Sequence, residues 1–209
     1  MPTEAIVHVI DDDEAVRQSV EFLLRTSGIT AKTYGSAAAF LAALPEIASG
    51  CVITDVRMPE ISGIDLLRRL AERRVTLPVI VITGHGDVPL AVEAMKAGAV
   101  DFIEKPFDDE LLLRSVRFAL NRSRENAERE SERAELDGRI ATLTNRERDV
   151  LDGLVAGKPN KIIAFDLSIS PRTVEIYRAN VMTKMKAASL SELVRMALIA
   201  GVMKSGTGG

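Results

Sequence analysis

The first half of the chain alternates short apolar runs with amphipathic stretches. The apolar runs are rich in β-branched residues, and three of them are continuous, as expected for strands covered on both faces. Strand and helix therefore alternate, which predicts an α/β fold with a doubly wound, parallel, five-stranded sheet. The predicted strands are Ala5–Ile10, Ile29–Tyr34, Cys51–Asp55, Pro78–Thr83 and Val100–Glu104, and the predicted helices are Glu14–Ser27, Ala37–Leu44, Gly63–Arg73 and Val88–Ala97.

The pattern changes after a fifth helix, which is predicted to begin near Asp108–Glu110. From Asn121 to Arg139 the chain is charged, poor in large apolar residues and free of proline, while Glu, Arg and Ala dominate. Such a segment is typical of a solvated helix, and we expect it to extend from the first domain as a linker. A coiled-coil stripe is the alternative interpretation, and it rests on Leu120, Ala127, Ala134 and Leu136.

The second half contains patterns for short helices only. Two capping boxes, Thr144–Glu147 and Ser189–Glu192, each predict a helix start. Helices at about Asn160–Leu167 and Pro171–Lys186 are separated by three residues, which is helix–turn–helix spacing. We therefore expect an all-α domain. The predicted bounds are 1–120 for the first domain, 121–142 for the helical linker, 143–204 for the helix–turn–helix domain and 205–209 for a disordered tail.

Charge is distributed unevenly between these parts. The 209 residues carry a net charge of −3, but residues 1–107 hold −5 and residues 144–209 hold +4. This asymmetry indicates two domains with different partners. One cysteine and two histidines exclude a disulfide framework and a Cys- or His-based metal site. No apolar run has membrane-spanning length and no signal-peptide pattern is present, so we expect a cytoplasmic protein without a membrane partner.

Polar side chains cluster where the predicted strands end. Asp11–Asp13 follow the first strand, and Asp55, Thr83 and Lys105 stand at the ends of three others. Because parallel strands end at the same edge of a sheet, these side chains should converge there. Converging carboxylates need a cation, and oxygen ligands suit Mg²⁺. The set fits phosphoryl transfer to an aspartate; the alternative is that each residue is only a cap, a turn residue or a solvated charge.

These residues make the first half resemble the receiver domain of two-component response regulators, with a flavodoxin-like fold, over nearly all of Ala5–Leu120. The resemblance implies that Asp55 accepts a phosphoryl group from a sensor histidine kinase. It also implies that Thr83 and Lys105 contact the phosphate, that Phe102 is an aromatic switch and that the Lys105–Pro106 peptide is cis. The matching motifs are Val9-Ile10-Asp11-Asp12-Asp13, Thr54-Asp55-Val56-Arg57-Met58-Pro59, Val81-Ile82-Thr83-Gly84 and Lys105-Pro106-Phe107.

The same resemblance implies the Mg²⁺ ligands: Asp12, Asp55 and the Arg57 backbone carbonyl, with Asp11 acting through water. The rival class is a hydrolase that uses Asp55 as its nucleophile. Phosphatases of that type place an acid two residues after the nucleophile, and here that position is Arg57, which is no general acid. His85 either influences hydrolysis of the phosphoaspartate or is a loop residue without a role.

The second half resembles the LuxR-type DNA-binding domain over about Leu143–Val202. Its motifs include Asn160-Lys161-Ile162-Ile163-Ala164 and Ser170-Pro171-Arg172-Thr173-Val174-Glu175, while Tyr177 departs from the common histidine. Basic residues supply the phosphate affinity expected of such a domain; the alternative is a helical bundle with a charged face. The DNA contacts expected from position are Glu175, Ile176 and Ala179 at base edges, and Arg172, Thr173, Arg178, Lys161 and Lys184 at phosphates or edges.

The stretches Ile82–Pro89 and Ala91–Ala99 resemble the FixJ subgroup of this family. The resemblance implies a non-enzymatic transcription activator of nitrogen-fixation and microaerobic genes with a FixL-like kinase, promoter DNA and RNA polymerase as partners. The alternative is a regulator of the same architecture that controls unrelated genes. We expect phosphorylation to drive homodimerisation through Val88–Ala97, Val100–Glu104 and the helix after Asp108.

Overall fold

In the computed structural model, residues 5–84 and 88–202 are described. The chain divides into two compact units, residues 1–127 and 128–209. The predicted tail at 205–209 and the loop residue His85 lie outside the described residues. Within the described ranges, no helix combines the length and the apolar character that crossing a membrane requires.

The first unit contains a five-stranded parallel sheet with the strand order β2-β1-β3-β4-β5. The central strand β3 is buried along its whole length, as its continuous apolar run predicts. The predicted fold class is confirmed. The strands are β1 (Ile6–Ile10), β2 (Ala31–Tyr34), β3 (Gly50–Asp55), β4 (Val79–Thr83) and β5 (Asp101–Glu104).

Helices connect these strands, and most of their bounds lie within one residue of the prediction. Asp13, Ser36 and Ser62 cap the first three, each accepting a hydrogen bond from a backbone N–H in the first turn. The strand β2 begins later than predicted because the Ile29 N–H bonds back to the Leu24 carbonyl at the end of the first helix. The helices are α1 (Glu14–Thr26), α2 (Ala37–Ala43), α3 (Gly63–Glu72), α4 (Val88–Lys96) and α5 (Asp109–Ala141), with a short 3-10 helix at Leu44–Glu46.

Apolar clusters cover both faces of the sheet. One contains side chains of α2, α3 and α4, with Phe40 and Leu66 fully buried. The other contains side chains of α1 and α5, with Leu24 and Leu112 fully buried. Each side chain of this size contributes about 1.5–3 kcal/mol by leaving water. Cys51 lies in the second cluster, and burial raises the pKa of its thiol to about 12.

The second unit packs four short helices around one apolar cluster. Thr144 completes both hydrogen bonds of its capping box with Glu147, and Ser170 and Ser189 cap the helices that follow them. Ser168 ends α7 in the left-handed region, with φ of 54°, and so makes the tight turn before α8. The helices are α6 (Asn145–Val155), α7 (Asn160–Leu167), α8 (Pro171–Met185) and α9 (Leu190–Ile199).

The charged segment after residue 120 is helical, but it is not solvated throughout. It continues α5 without a break to Ala141. Ser123 is buried, and its hydroxyl accepts a hydrogen bond from the Gly50 N–H at 3.2 Å. Leu136, which could have formed a coiled-coil stripe, is buried in the core of the second unit with Ile140 packed against that core. The first residues of the predicted linker therefore pack within the first unit, and its last residues pack within the second.

Candidate functional site

The sheet brings the predicted acidic residues to one edge. In the parallel register, Ile10 of β1 lies beside Thr54 of β3, so the next residues along each strand are neighbours. Those next residues are Asp11 and Asp55, and both are buried. Thr83, at the end of β4, is buried as well. The edge therefore concentrates two carboxylates with very little solvent to screen them.

The Lys105 ammonium joins these two carboxylates. Its Nζ donates to Asp11 Oδ2 and to Asp55 Oδ1, each at 2.8 Å. Burial alone would lower the pKa of Lys105, but the hydrogen bonds and negative charge of the two aspartates outweigh burial and raise the pKa above its usual value. The Lys105–Pro106 peptide is cis, as the resemblance implies. Lys105 is thus a charged partner of both carboxylates.

The loop after β3 holds the other carboxylate oxygen of Asp55. The Arg57 N–H donates to Asp55 Oδ2 at 2.5 Å. The loop then turns back so closely that the Gly63 N–H donates to the Val56 carbonyl at 3.0 Å. A Cβ at Gly63 would lie 2.2 Å from the Asp55 carbonyl oxygen, so only glycine fits there. The sequence marked Gly63 merely as a helix start.

Asp11 is fixed from its own side of the site. Its Oδ1 accepts from the Asp13 N–H at 2.9 Å, and its backbone carbonyl accepts from Arg17 Nη1 at 2.7 Å. Asp13 also caps α1, so the capping alternative holds for this residue. Sequence reasoning missed Arg17, because a contact to a backbone carbonyl leaves no spacing signal. The nucleophile candidate and its acidic neighbour are both held in place before any ligand arrives.

The oxygen atoms at this edge of the sheet are of the kind that Mg²⁺ binds. In the described part of the chain, no group of three or more Asp, Glu, His or Cys side chains is gathered closely enough to hold a metal. Asp11 and Asp55 share Lys105 instead, while Asp12 is exposed and lines an open cleft of about 700 Å³ with Arg57. Mg²⁺ needs only one or two carboxylates and keeps several waters. These oxygen donors therefore fit the ion.

The switch residue and the expected dimer face lie on the neighbouring elements. Phe102 is half-buried on β5 and packs against the cluster that covers one face of the sheet. On α4, Val88 and Val92 are exposed, and Met95, which the sequence did not single out, is exposed too. Ala99, between the two predicted segments of the face, is buried. The exposed apolar surface of the expected face is therefore contributed by α4 and, through Leu111 and Phe118, by α5.

The helix α8 presents most of the predicted DNA contacts outward. Its Val174, Val181 and Met185 point into the core, which places the opposite side of the helix in solvent. Ile176 is 56% exposed, and Thr173 is half-buried with its hydroxyl bonded to Ser170. The exposed predicted contacts are Arg172, Glu175, Ile176 and Ala179 on α8 and Lys161 on α7, with Arg178 half-buried.

Lys184, which is expected at DNA phosphates or base edges, has partners within the protein. Its Nζ donates to Glu147 Oε2 at 2.6 Å and to the Thr142 carbonyl at 3.2 Å. The Lys184 hydrogen bond is the main reason that the pKa of Glu147 falls to about 2, and the Thr144 N–H adds to the effect. Glu147 is buried, so its carboxylate requires that partner. The sequence could not show this, because a charged side chain on a helix gives no sign of a distant buried partner.

Comparison with known proteins agrees with this arrangement. Residues 7–117 match the response regulator receiver domain family, and residues 141–197 match the luxR family of bacterial regulatory proteins. The transcriptional regulatory protein FixJ of Azorhizobium caulinodans is 62% identical over 97% of this chain and 96% of its own. FixJ of Rhizobium meliloti is 54% identical over 95% and 98% of the two chains.

A solved structure has the same two-part build. The response regulator StyR matches with a TM-score of 0.80 and 37% identity, over 94% of this chain and 99% of its own. Receiver domains bind Mg²⁺ at their phosphorylation site and have histidine kinases as partners, and LuxR-type domains bind DNA. The chain therefore belongs to the response regulators that join a receiver domain to a LuxR-type DNA-binding domain, and it is a transcriptional regulator.

Proposed function

We propose that a sensor histidine kinase phosphorylates Asp55 and that this modification promotes dimerisation and binding to promoter DNA. The observation that carries the proposal is the buried Asp55 carboxylate, which lies 2.8 Å from the Lys105 ammonium at the carboxyl edge of the sheet. Phosphoryl chemistry belongs to residues 1–120 and DNA recognition to residues 143–204, with residues 121–142 between them.

The positions of the side chains support the following chemistry. A carboxylate oxygen of Asp55 attacks the phosphorus of the kinase phosphohistidine, the new P–O bond forms and the P–N bond breaks. The Lys105 ammonium and the Thr83 hydroxyl then face phosphoryl oxygens. Asp12, Asp55 and the Arg57 carbonyl, with Asp11 acting through water, would hold Mg²⁺, which would supply positive charge to offset the negative charge of this site.

Phosphorylation of Asp55 changes the conformation of the neighbouring elements β4, β5 and α4. The phosphoryl group draws the Thr83 hydroxyl toward it, and Phe102 turns into the space that is vacated. The surface of α4 and β5 then changes, and two chains pair through it. A dimer carries two DNA-binding domains, which suits two half-sites about one helical turn apart. In this proposal the DNA contacts are made by Lys161, Arg172, Thr173, Glu175, Ile176, Arg178, Ala179 and Lys184.

The FixJ relatives support a more specific role. By that likeness we assign a FixL-like kinase, RNA polymerase as the partner at the promoter, the cytoplasm as the location, and nitrogen-fixation and microaerobic genes as targets. The second candidate is a regulator of the same architecture that serves unrelated genes, since the likeness extends to a response regulator of another name, StyR. Transfer of phosphate from purified kinases, FixL among them, distinguishes the two candidates by which kinase reacts fastest.

The phosphorylation site is tested with Asp55→Asn and a matched control, Asp65→Asn, in the cleft that Asp12 and Arg57 also line. Each full-length protein is treated with phosphoramidate and Mg²⁺, and its intact mass is measured. Wild type and Asp65→Asn should gain one phosphoryl group, and Asp55→Asn should gain none. Stoichiometric phosphorylation of Asp55→Asn would show the site assignment to be wrong. Steady turnover of a phosphomonoester by wild type would favour the hydrolase instead.

A further inference from the structure

The last turns of α5 are built into the DNA-binding unit rather than merely leading to it. Leu136 is 3% exposed within the apolar core of that unit, and Ile140 packs against the same core. Arg148, on α6, donates from Nη2 to the Ile140 carbonyl at 3.1 Å. The end of α5 therefore contacts the rest of the unit through apolar packing and through a side-chain hydrogen bond to its backbone.

A second pair of contacts reaches the end of α8, which carries the proposed DNA contacts. Arg139 Nη1 donates to the Met185 carbonyl at 3.0 Å, and its Nη2 pairs with Glu135 Oε1 at 2.6 Å. From the other side, Lys184 of α8 donates to the carbonyl of Thr142, just after α5. The end of α8 thus accepts a hydrogen bond from α5 and donates one to the residue that directly follows α5.

The geometry explains why Arg139 matters to α8. Met185 is the last helical residue, so its carbonyl is one of the acceptors that a helix cannot satisfy by itself. The next residue, Lys186, leaves the helix in the left-handed region with φ of 56°. A cation at this negative end of the helix dipole is favourable. The Arg139 side chain is only 20% exposed, so it is held against α8 and is not a freely solvated charge.

We propose that Arg139 is a positioning residue for the recognition helix: it fixes the end of α8, and residues 135–141 of α5 thereby form part of the DNA-binding machinery. The inference rests on the proposed role of α8 in DNA recognition. Arg139 touches no base or phosphate in this proposal; it acts by setting the direction of α8 in the groove.

The test compares Arg139→Ala, Arg139→Lys and the matched control Arg133→Ala in the full-length protein. Arg133 lies on the same helix, is 63% exposed and lies 4.0 Å from the Asp137 carboxylate. The DNA probe is a duplex selected by the wild-type protein from a random-sequence library, beside a mixed-sequence duplex. Dissociation constants are measured over a salt series, and hydrogen exchange is followed across residues 171–187.

For Arg139→Ala we expect affinity for the selected duplex to fall about fivefold to tenfold, since one charge-assisted hydrogen bond is lost. The salt slope and the affinity for mixed-sequence DNA should not change. Hydrogen exchange should quicken at the end of α8. Arg139→Lys should restore part of the specific affinity, and Arg133→Ala should behave as wild type.

Other results would overturn the inference. A salt slope that falls by about one unit would mean that Arg139 contacts a phosphate directly. Unchanged specific affinity, whatever happens to stability, would mean that the contact is structural only. An added Arg178→Ala variant tests the premise that α8 recognises DNA. If this variant alters neither the affinity nor the salt slope, α8 is not the recognition helix, and both the inference and the proposed function fail.

Discussion

At the scale of single residues, the main feature of the site is that two buried negative charges share one positive charge. Asp11 and Asp55 are nearly inaccessible to water, and one ammonium, that of Lys105, serves both. Two buried carboxylates without a cation would repel each other and lose hydration. The site therefore depends on Lys105 until a divalent cation or a phosphoryl group changes the balance.

Replacing Lys105 tests this dependence. Lys105→Met keeps the side-chain length but removes the charge, so the free energy of unfolding should fall by about 2–4 kcal/mol at neutral pH. Mg²⁺ should recover part of the loss. Because the pKa of Lys105 is raised above 10.5 in the folded protein, its contribution is complete below that pH and fades as pH rises further. Urea unfolding with and without Mg²⁺ measures both effects.

The exposed Lys96 provides the control for that experiment. Lys96→Met removes the same charge from the surface of α4, so its effect on stability should be small and independent of Mg²⁺. Equal losses in the two variants would contradict the role assigned to Lys105.

Residue types and spacing were enough to predict Asp11, Asp55, Thr83 and Lys105, because parallel strands end at a common edge. They were not enough for the residues that act through backbone atoms. Arg17 reaches a carbonyl, which no pattern records. The pairing of Lys184 with the buried Glu147 was not predictable either, because the two residues are 37 positions apart and are brought near only by the fold.

At the scale of elements, the junction between β3 and α3 controls where Asp55 sits. The first residue of α3, Gly63, lies against the Asp55 backbone with no room for a side chain. The start of α3 lies so close to the end of β3 that only the hydrogen atom of a glycine side chain fits between them. Any larger residue must displace one of the two elements.

Gly63→Ala should therefore destabilise the protein by about 1–3 kcal/mol and slow phosphorylation, because the shift moves Asp55. Gly138→Ala is the opposite case: a Cβ there has nothing within 4 Å, and the residue is helical and exposed. That variant should gain about 0.5–1 kcal/mol. Urea unfolding and phosphoramidate labelling of both variants compare them directly. A neutral Gly63→Ala would refute the steric argument.

The elements themselves were largely predictable, because continuous apolar runs and capping residues mark strands and helix starts. Their ends were less so. Ile29 reads as strand, yet it closes α1 through a backbone hydrogen bond. The charged composition of α5 indicated solvent along its length, and only the folded core shows that Leu136 is buried. Packing between distant segments decides such cases.

At the scale of the whole molecule, the proposed switch converts a monomer into a dimer. The exposed apolar residues of α4 need a partner surface only after phosphorylation. Wild type should sediment as a monomer alone and as a dimer with the phosphate-mimicking beryllofluoride complex. Val92→Arg should bind the complex but stay monomeric, because Val92 is 45% exposed at the centre of the proposed face.

Phe22→Arg is the control for dimerisation. Phe22 is 59% exposed but lies on α1, outside the proposed face. This variant should dimerise as wild type does. A wild-type protein that is equally dimeric with and without beryllofluoride would refute the switch, and loss of dimerisation in both variants would refute the choice of face.

The buried Cys51 gives the molecule a practical property. It is the only cysteine in the chain, it is fully buried, and a thiol with a pKa of about 12 holds almost no reactive thiolate at neutral pH. Thiol-directed reagents should therefore leave the native protein unlabelled. A single cysteine introduced on the surface, at Val92 or Glu175 for example, would then carry a fluorophore or spin label at one defined position, without first removing a native residue from the core.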